Sequence, residues 1–279
     1  MTQDIQAFAP ANISCFFKIV ENPDPRWMGS LGLGFTLDVG VIVGVEKAKT
    51  SEILFNGNPI DLPAVKKTLL SLTTEPVSVH INSDLPLGSG FGLSGASALA
   101  TAYAVNKLLN LYKSEGELAI IAHTAEVVSK TGLGDVTNQH LGGVVAKFKP
   151  SSHFDAEKIA LTDLPIYCRY LSKIDTADVL SDKELKTKIN LAADTALAEL
   201  QNLLQQKEKI NLAEILKISK KFAADSGLLK DIEVVSSIEE IEKNGGHASM
   251  IMLGNAVMSD IPFNGATKYF ISDTPAHLL

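Results

Sequence analysis

Basic clusters are missing from this sequence. Lys and Arg number 25 against 32 Asp and Glu in 279 residues, for a formal charge of −7. Nucleic-acid binders concentrate Lys and Arg to neutralise phosphates, so nucleic acid is not expected as a partner. Cysteine is scarce as well. Cys15 and Cys168 lie in the apolar runs 13–17 and 166–170, with no CxxC and no metal-ligand spacing. They are expected to be reduced core thiols. No run approaches the roughly 18 to 20 apolar residues of a membrane span. The first ten residues, MTQDIQAFAP, lack the basic segment and apolar stretch of a secretory signal. The expectation is a cytoplasmic chain with no membrane partner. Repeats and low-complexity tracts are absent too.

What is present is an ordinary globular composition, 46% hydrophobic and 20% charged, enough to bury a core. Stretches 5–9, 13–20 and 36–45 are rich in β-branched and aromatic residues and read as strands. Between the last two lies a glycine-rich loop with Gly29, Ser30, Gly32 and Gly34. Helical spacing covers 61–72, 94–109 and 115–130, with strands at 77–81 and 141–148. After Pro150 come a strand at 166–171, helices at 185–204 and 212–222, and a hairpin turning at Gly254-Asn255. A last strand at 269–272 closes the chain. Strands and helices mix without regular βαβ alternation, in two halves, which is α+β organisation.

The most informative segment runs Leu85-Pro86-Leu87-Gly88-Ser89-Gly90-Phe91-Gly92-Leu93-Ser94-Gly95-Ala96-Ser97-Ala98. Alternating glycines let backbone N–H groups turn inward, and the helix that follows adds a partial positive charge at its start. That combination cradles a phosphate chain. Tight helix packing is the alternative reading of such glycines. A Rossmann turn needs a βαβ unit and an acidic residue about 20 positions on; residues 106–110 offer none. A Walker A loop is excluded, since no Gly-Lys-Ser/Thr follows.

These residues resemble the central phosphate-binding motif of the GHMP kinases, the superfamily of galactokinase, homoserine kinase, mevalonate kinase and phosphomevalonate kinase. Ala9-Pro10-Ala11-Asn12-Ile13 resembles the N-terminal motif of that family, and Gly245-Gly246-His247-Ala248-Ser249-Met250 sits where its C-terminal motif belongs. The three occur in the family's order across nearly the whole chain. The resemblance implies a GHMP kinase fold: an N-terminal domain like ribosomal protein S5 domain 2 at 1–150 and a ferredoxin-like domain at 151–279, with the site in the cleft between. It implies ATP and Mg²⁺ as cofactors. ATP would meet Pro86, Gly88, Ser89, Gly90, Phe91, Gly92, Ser94, Gly95, Ala96 and Ser97. Where the family has Ser-Ser, this chain has Leu93-Ser94. Ser94 is therefore assigned to Mg²⁺ or the phosphates, and Ser97, one turn later, is the fallback. A homodimer is compatible with the resemblance.

Thr131-Gly132-Leu133-Gly134-Asp135 follows the helix that carries Glu126. In the family, a similar segment presents an Asp to the acceptor hydroxyl, and a Glu on the preceding helix holds Mg²⁺. The catalytic candidates are thus Asp135 as base or hydroxyl orienter, with Glu126 and Ser94 as metal ligands. The plain alternative makes Asp135 a turn cap and Glu126 a solvated helix residue. His123 stands three residues before Glu126, on the same helix face. Lys147 is a charged residue in an apolar strand. Segments 13–17, 24–34, 88–96 and 248–255 are similar to those of archaeal pantoate kinases in particular. That similarity implies pantoate as phosphate acceptor, on the route to coenzyme A. Ser30, His123 and Lys147 then become its binding candidates. Homoserine or mevalonate is the alternative acceptor, and a ligand-sensing homologue without catalysis is the alternative of another class.

Overall fold

The computed structural model describes residues 5–150, 154–172, 179, 181–206 and 210–279. Two long strands organise it, β1 (Ile5–Val20) and β2 (Gly29–Lys47), paired antiparallel along their length. Around them lie β3 (Glu52–Phe55), β4 (Asn58–Pro59), β5 (Val77–Asn82), β6 (Val144–Lys147), β7 (Glu157–Ile159) and β12 (His277–Leu278). The order is β12-β1-β2-β5-β3-β4, with β6 on the first half of β2 and β7 on β6. β1 is buried along most of its length because α2 (Leu93–Leu109), α5 (Lys183–Gln205) and α6 (Leu212–Asp225) all pack against it. It therefore reads as an apolar run rather than as an alternation.

The second sheet holds β8 (Pro165–Ser172), β9 (Ala248–Met250), β10 (Asn255–Ser259) and β11 (Thr267–Phe270), in the order β11-β8-β10-β9. All its neighbours are antiparallel. Counted within the sheet the order is 4-1-3-2, the split βαβ arrangement of ferredoxin-like domains. The first crossover carries α5, α6 and α7 (Ile232–Lys243), whereas the second, 260–266, has no helix. The expected α+β class holds. Both cysteines are buried free thiols, and burial pushes their pKa values up.

Several local expectations need correction. Gly29, Ser30, Gly32 and Gly34 belong to β2, not to a loop. Gly32 and Gly34 are wedged between β1 and β6, pairing with Phe17 and Ser14 on one side and with Lys147 and Val145 on the other. Their missing side chains serve close strand approach. The strand expected at 141–148 begins only at Val144. The residues before it form α4 (Asp135–Leu141), a short polar helix without apolar periodicity. The β9–β10 hairpin turns through 251–254, with Leu253 at φ +62°, and Asn255 is already in β10. The chain closes on β12, which adds to the edge of β1, rather than on 269–272. α7 has no counterpart among the elements expected from the sequence.

The remaining helices are α1 (Pro63–Leu72) and α3 (Glu115–Ser129), packed on each other and on α2. α3 and α6 start with capping boxes, Ser114 with Glu117 and Asn211 with Glu214. Each satisfies two backbone donors at the helix start. No helix among the described residues is long and apolar enough to cross a membrane.

Candidate active site

The glycine loop connects β5 to α2. Gly88, Gly90 and Gly92 take positive φ values of 75°, 85° and 64°, the last as the left-handed N-cap of α2. Glycine enters that region without steric cost. Alternating it with Ser89 and Phe91 coils the loop over the start of α2, whose first N–H groups have no helical partners. Ser89 Oγ donates to the Pro86 carbonyl at 2.5 Å and closes the loop on itself.

A cleft opens over this loop. It is lined by Gly88 to Ser94, by Thr131 to Asp135, by Ser14, Phe17 and Ser30, and by Met252 and Leu253 of the β9–β10 turn. Ser14 reaches it through a register shift in β1 between Ser14 and Phe16. Such a bulge re-aims a side chain and leaves a backbone group outside the ladder. Here Ser219 Oγ of α6 takes the freed Cys15 carbonyl at 2.7 Å.

Asp135, the first residue of α4, faces the glycine loop: a Cβ on Gly92 would stand 3.1 Å from Asp135 Cγ. Asn12 Nδ2 donates to Asp135 Oδ1 at 2.6 Å, and Gln139 Nε2 donates to the Gly92 carbonyl at 2.8 Å. Burial raises the Asp135 pKa and the Asn12 amide opposes the rise. Behind Asp135 lies Glu126, 1% exposed, its carboxyl held by Ser94 and by Thr131 Oγ1 at 3.1 Å. Burial first, then the charge of Asp135, pushes Glu126 up to about 8, against both hydroxyl bonds. The charge of Asp135 disfavours ionisation of Glu126, which lies buried behind the cleft and does not line it.

Ser94 and Asp135 line the cleft, and Glu126 lies buried behind it against Ser94 and Thr131. Gly88 to Gly92 line the cleft, while Pro86 is exposed outside it. Gly95, Ala96 and Ser97 do not line the cleft; Ala96 and Ser97 are fully buried, and Ser97 Oγ has no partner among the described residues. Ser30 lines the cleft and also a smaller, shallow recess beside it. Lys147 lines that recess at 8% exposure, with Ser14, Thr137 and Asn138. Burial lowers its amine pKa, which the charge of Asp155 partly restores. His123 lines neither space. Its Nε2 hydrogen-bonds the Met28 carbonyl at 2.8 Å and its ring stands edge-on to Phe154. Burial pushes it down to about 4, so it is neutral at pH 7.

Sequence reasoning did not single out Asn12, Phe17, Thr131, Met252 or Leu253 as site residues. Asn12 had a signal, a polar side chain at a fully buried position of β1 within the motif 9–13. Met252 and Leu253 had no local chemical signal beyond lying in the segment 248–255, because their place follows from the hairpin docking on the glycine loop. There a Cβ on Gly254 would stand 2.5 Å from the Ser89 carbonyl carbon.

Comparison with known proteins gives three kinds of likeness. The family model described as "GHMP kinases N terminal domain" matches residues 62–143. The pantoate kinase of Methanospirillum hungatei is 33% identical over 263 residues, 91% of this chain and 86% of that protein. The pantoate kinase of Methanocaldococcus jannaschii is 32% identical over 255 residues, 90% of each chain. A solved structure described as a "Phosphotransferase related to CoA biosynthesis pathway" aligns with a TM-score of 0.83 at 26% identity, covering 98% of both chains.

Proposed function

The chain belongs to the GHMP kinase family, and we propose that it transfers the γ-phosphoryl group of ATP to the 4-hydroxyl of pantoate, a step towards coenzyme A. The observation that carries the reading is the placement of Asp135 against Gly92 of the glycine loop, where an added Cβ would stand 3.1 Å from Asp135 Cγ. A triphosphate cradled by Gly88 to Gly92 and the start of α2 ends where Asp135 can meet an incoming hydroxyl.

Phosphoryl transfer depends on positioning and on neutralising charge on the transferred group. The loop N–H groups and the α2 N-terminus bind the phosphates. Asp135 aligns the pantoate hydroxyl in line and accepts its proton as the new bond forms. Mg²⁺ fits the donors at hand. Ser94 and Glu126 offer hard oxygens, and a Cβ on Gly95 would lie 2.7 Å from Glu126 Oε2 and 3.0 Å from Gln139 Oε1, an atom without a partner among the described residues. No cluster of three or more His, Cys, Asp or Glu forms among the described residues. Mg²⁺ commonly keeps water and substrate phosphate among its ligands. When bound, it supplies charge neutralisation to the phosphates.

In this reading the recess takes the other end of pantoate. Lys147 pairs with the carboxylate and Ser30 hydrogen-bonds an oxygen. His123 acts one layer back, holding the Met28 carbonyl and thereby the start of β2 that presents Ser30. The units at work are 1–150 and 151–279, with the second contributing Met252 and Leu253 to the cleft. A coupled ADP-release assay with pantoate, homoserine and mevalonate tests the reading. Turnover with pantoate at a kcat/KM well above the other two is expected; turnover confined to either rival, or to none, overturns it.

A further inference from the structure

Asn12 is fully buried, at the point where three parts of the site meet. Its backbone N–H donates to the Phe91 carbonyl of the glycine loop at 3.0 Å. Its side-chain Nδ2 donates to Asp135 Oδ1 at 2.6 Å, and its Oδ1 accepts from Asn138 Nδ2 at 2.8 Å. The orientation of the amide is fixed by its neighbours. A carboxylate oxygen can only accept from it when ionised, so the NH₂ must face Asp135 and the oxygen must face the Asn138 amide. Asn138 is itself buried and sits one helical turn after Asp135 on α4.

We propose that Asn12 and Asn138 form a positioning relay that fixes the Asp135 carboxylate relative to the glycine loop. Asn12 occupies Oδ1 and leaves Oδ2, which has no hydrogen bond among the described residues, to the acceptor hydroxyl. Asn138 does not touch Asp135; it holds Asn12 in the rotamer that does. The relay ties the orientation of the carboxylate to the backbone of Phe91, so that base and phosphate cradle keep one geometry. A hydrogen bond from a neutral amide to a carboxylate is charge-assisted and directional. Loss of such alignment by about 1 Å can cost on the order of 100-fold in rate.

This inference rests on the proposed role of Asp135, and the test separates the two. Steady-state kinetics are measured on the full chain for Asn12→Ala, Asn138→Ala, the double variant, Asp135→Asn, and Asp135→Asn combined with Asn12→Ala. Melting temperatures are taken in parallel. Asn12→Ala is expected to lower kcat roughly 10- to 100-fold, with the KM for ATP moved about threefold or less. Asn138→Ala is expected to lower kcat by a smaller factor. The double variant should be no slower than Asn12→Ala, because the second residue acts through the first. In the Asp135→Asn background, Asn12→Ala should cost under about twofold more. Should Asn12→Ala not fold, Asn138→Ala in the two backgrounds decides the matter in the same way. Losses that multiply in the Asp135→Asn background, or full kcat in Asn12→Ala and Asn138→Ala, overturn the relay. Wild-type turnover in Asp135→Asn overturns the base assignment instead.

Discussion

The carboxyl of Glu126 rests directly on the backbone of Gly132: a Cβ on that glycine would stand 2.5 Å from Glu126 Oε2. Gly132 is not held at positive φ, so the constraint is space and not backbone strain. Gly132→Ala should therefore fold and push the Glu126 carboxyl aside. A fall in kcat of about 10-fold or more, with a modest change in melting temperature, is the expected outcome of kinetics and thermal unfolding. Unchanged kcat would show that Glu126 tolerates displacement and has no role in the reaction.

Asp135→Asn keeps the shape of the site and removes the proton acceptor. General-base contributions run to about 10²- to 10⁴-fold, and a kcat loss in that range is predicted with ATP affinity largely kept. Nucleotide titration by fluorescence or calorimetry checks the second half of that statement. A variant that lost ATP binding together with rate would place Asp135 in the phosphate cradle.

Lys147→Ala should act on the acceptor and leave ATP alone. A hydrogen bond to a charged group contributes about 1.5 to 3 kcal/mol, so the KM for pantoate should rise roughly 10- to 100-fold. The KM for ATP should move little. An unaltered pantoate KM removes the carboxylate role and leaves Lys147 as a buried strand residue.

The pH dependence of stability follows from Glu126. Folded, its carboxyl keeps the proton up to about 8, whereas the ordinary value is 4.5. Between those values the folded state holds a proton that the unfolded chain has released. The contribution of Glu126 to stability is thus fully present below about 4.5 and is lost as pH rises towards 8. Asp135, also raised, acts in the same direction. Ligand-free melting temperatures should fall between pH 5 and 8, and Glu126→Gln should flatten the slope. A slope of equal size in that variant would assign the dependence to other groups.

Gly116 in the first turn of α3 has open space where a side chain would stand, with nothing within 4 Å of an added Cβ, and no positive φ. Alanine there restricts the unfolded chain and favours the helix, so Gly116→Ala should stabilise by about 0.5 to 1 kcal/mol. Chemical denaturation checks it, with kcat unchanged.

Legibility in the sequence divides along physical lines. The glycine loop and the start of α2 were readable because local chemistry decides them, positive-φ glycines before a helix start, whereas Glu126 and Asp135 were pointed to by the family resemblance. Strand β2 was misread at Gly29 to Gly34, since glycine signals a turn locally and close strand contact only in the presence of β1 and β6. Helix α4 escaped notice because Thr137, Asn138 and Gln139 carry no apolar stripe, and the last two are held by Asn12 and Gly92 far away in sequence. α7 was missed despite ordinary signals. Asp231 caps its first amides, and Val234, Ile238 and Ile241 form a buried stripe. His123 and Glu126 share a face of α3 as expected, yet neither lines the cleft: both are buried behind it.

The most direct test of the account is a crystal structure with pantoate, Mg²⁺ and a non-hydrolysable ATP analogue. The distances to read are those from the pantoate 4-hydroxyl to Asp135 and to the terminal phosphorus. The account predicts the hydroxyl within hydrogen-bond reach of Asp135, in line with a phosphate chain held by Gly88 to Ser94. A nucleotide bound away from that loop, or pantoate bound with its 4-hydroxyl beyond the reach of Asp135, would contradict it.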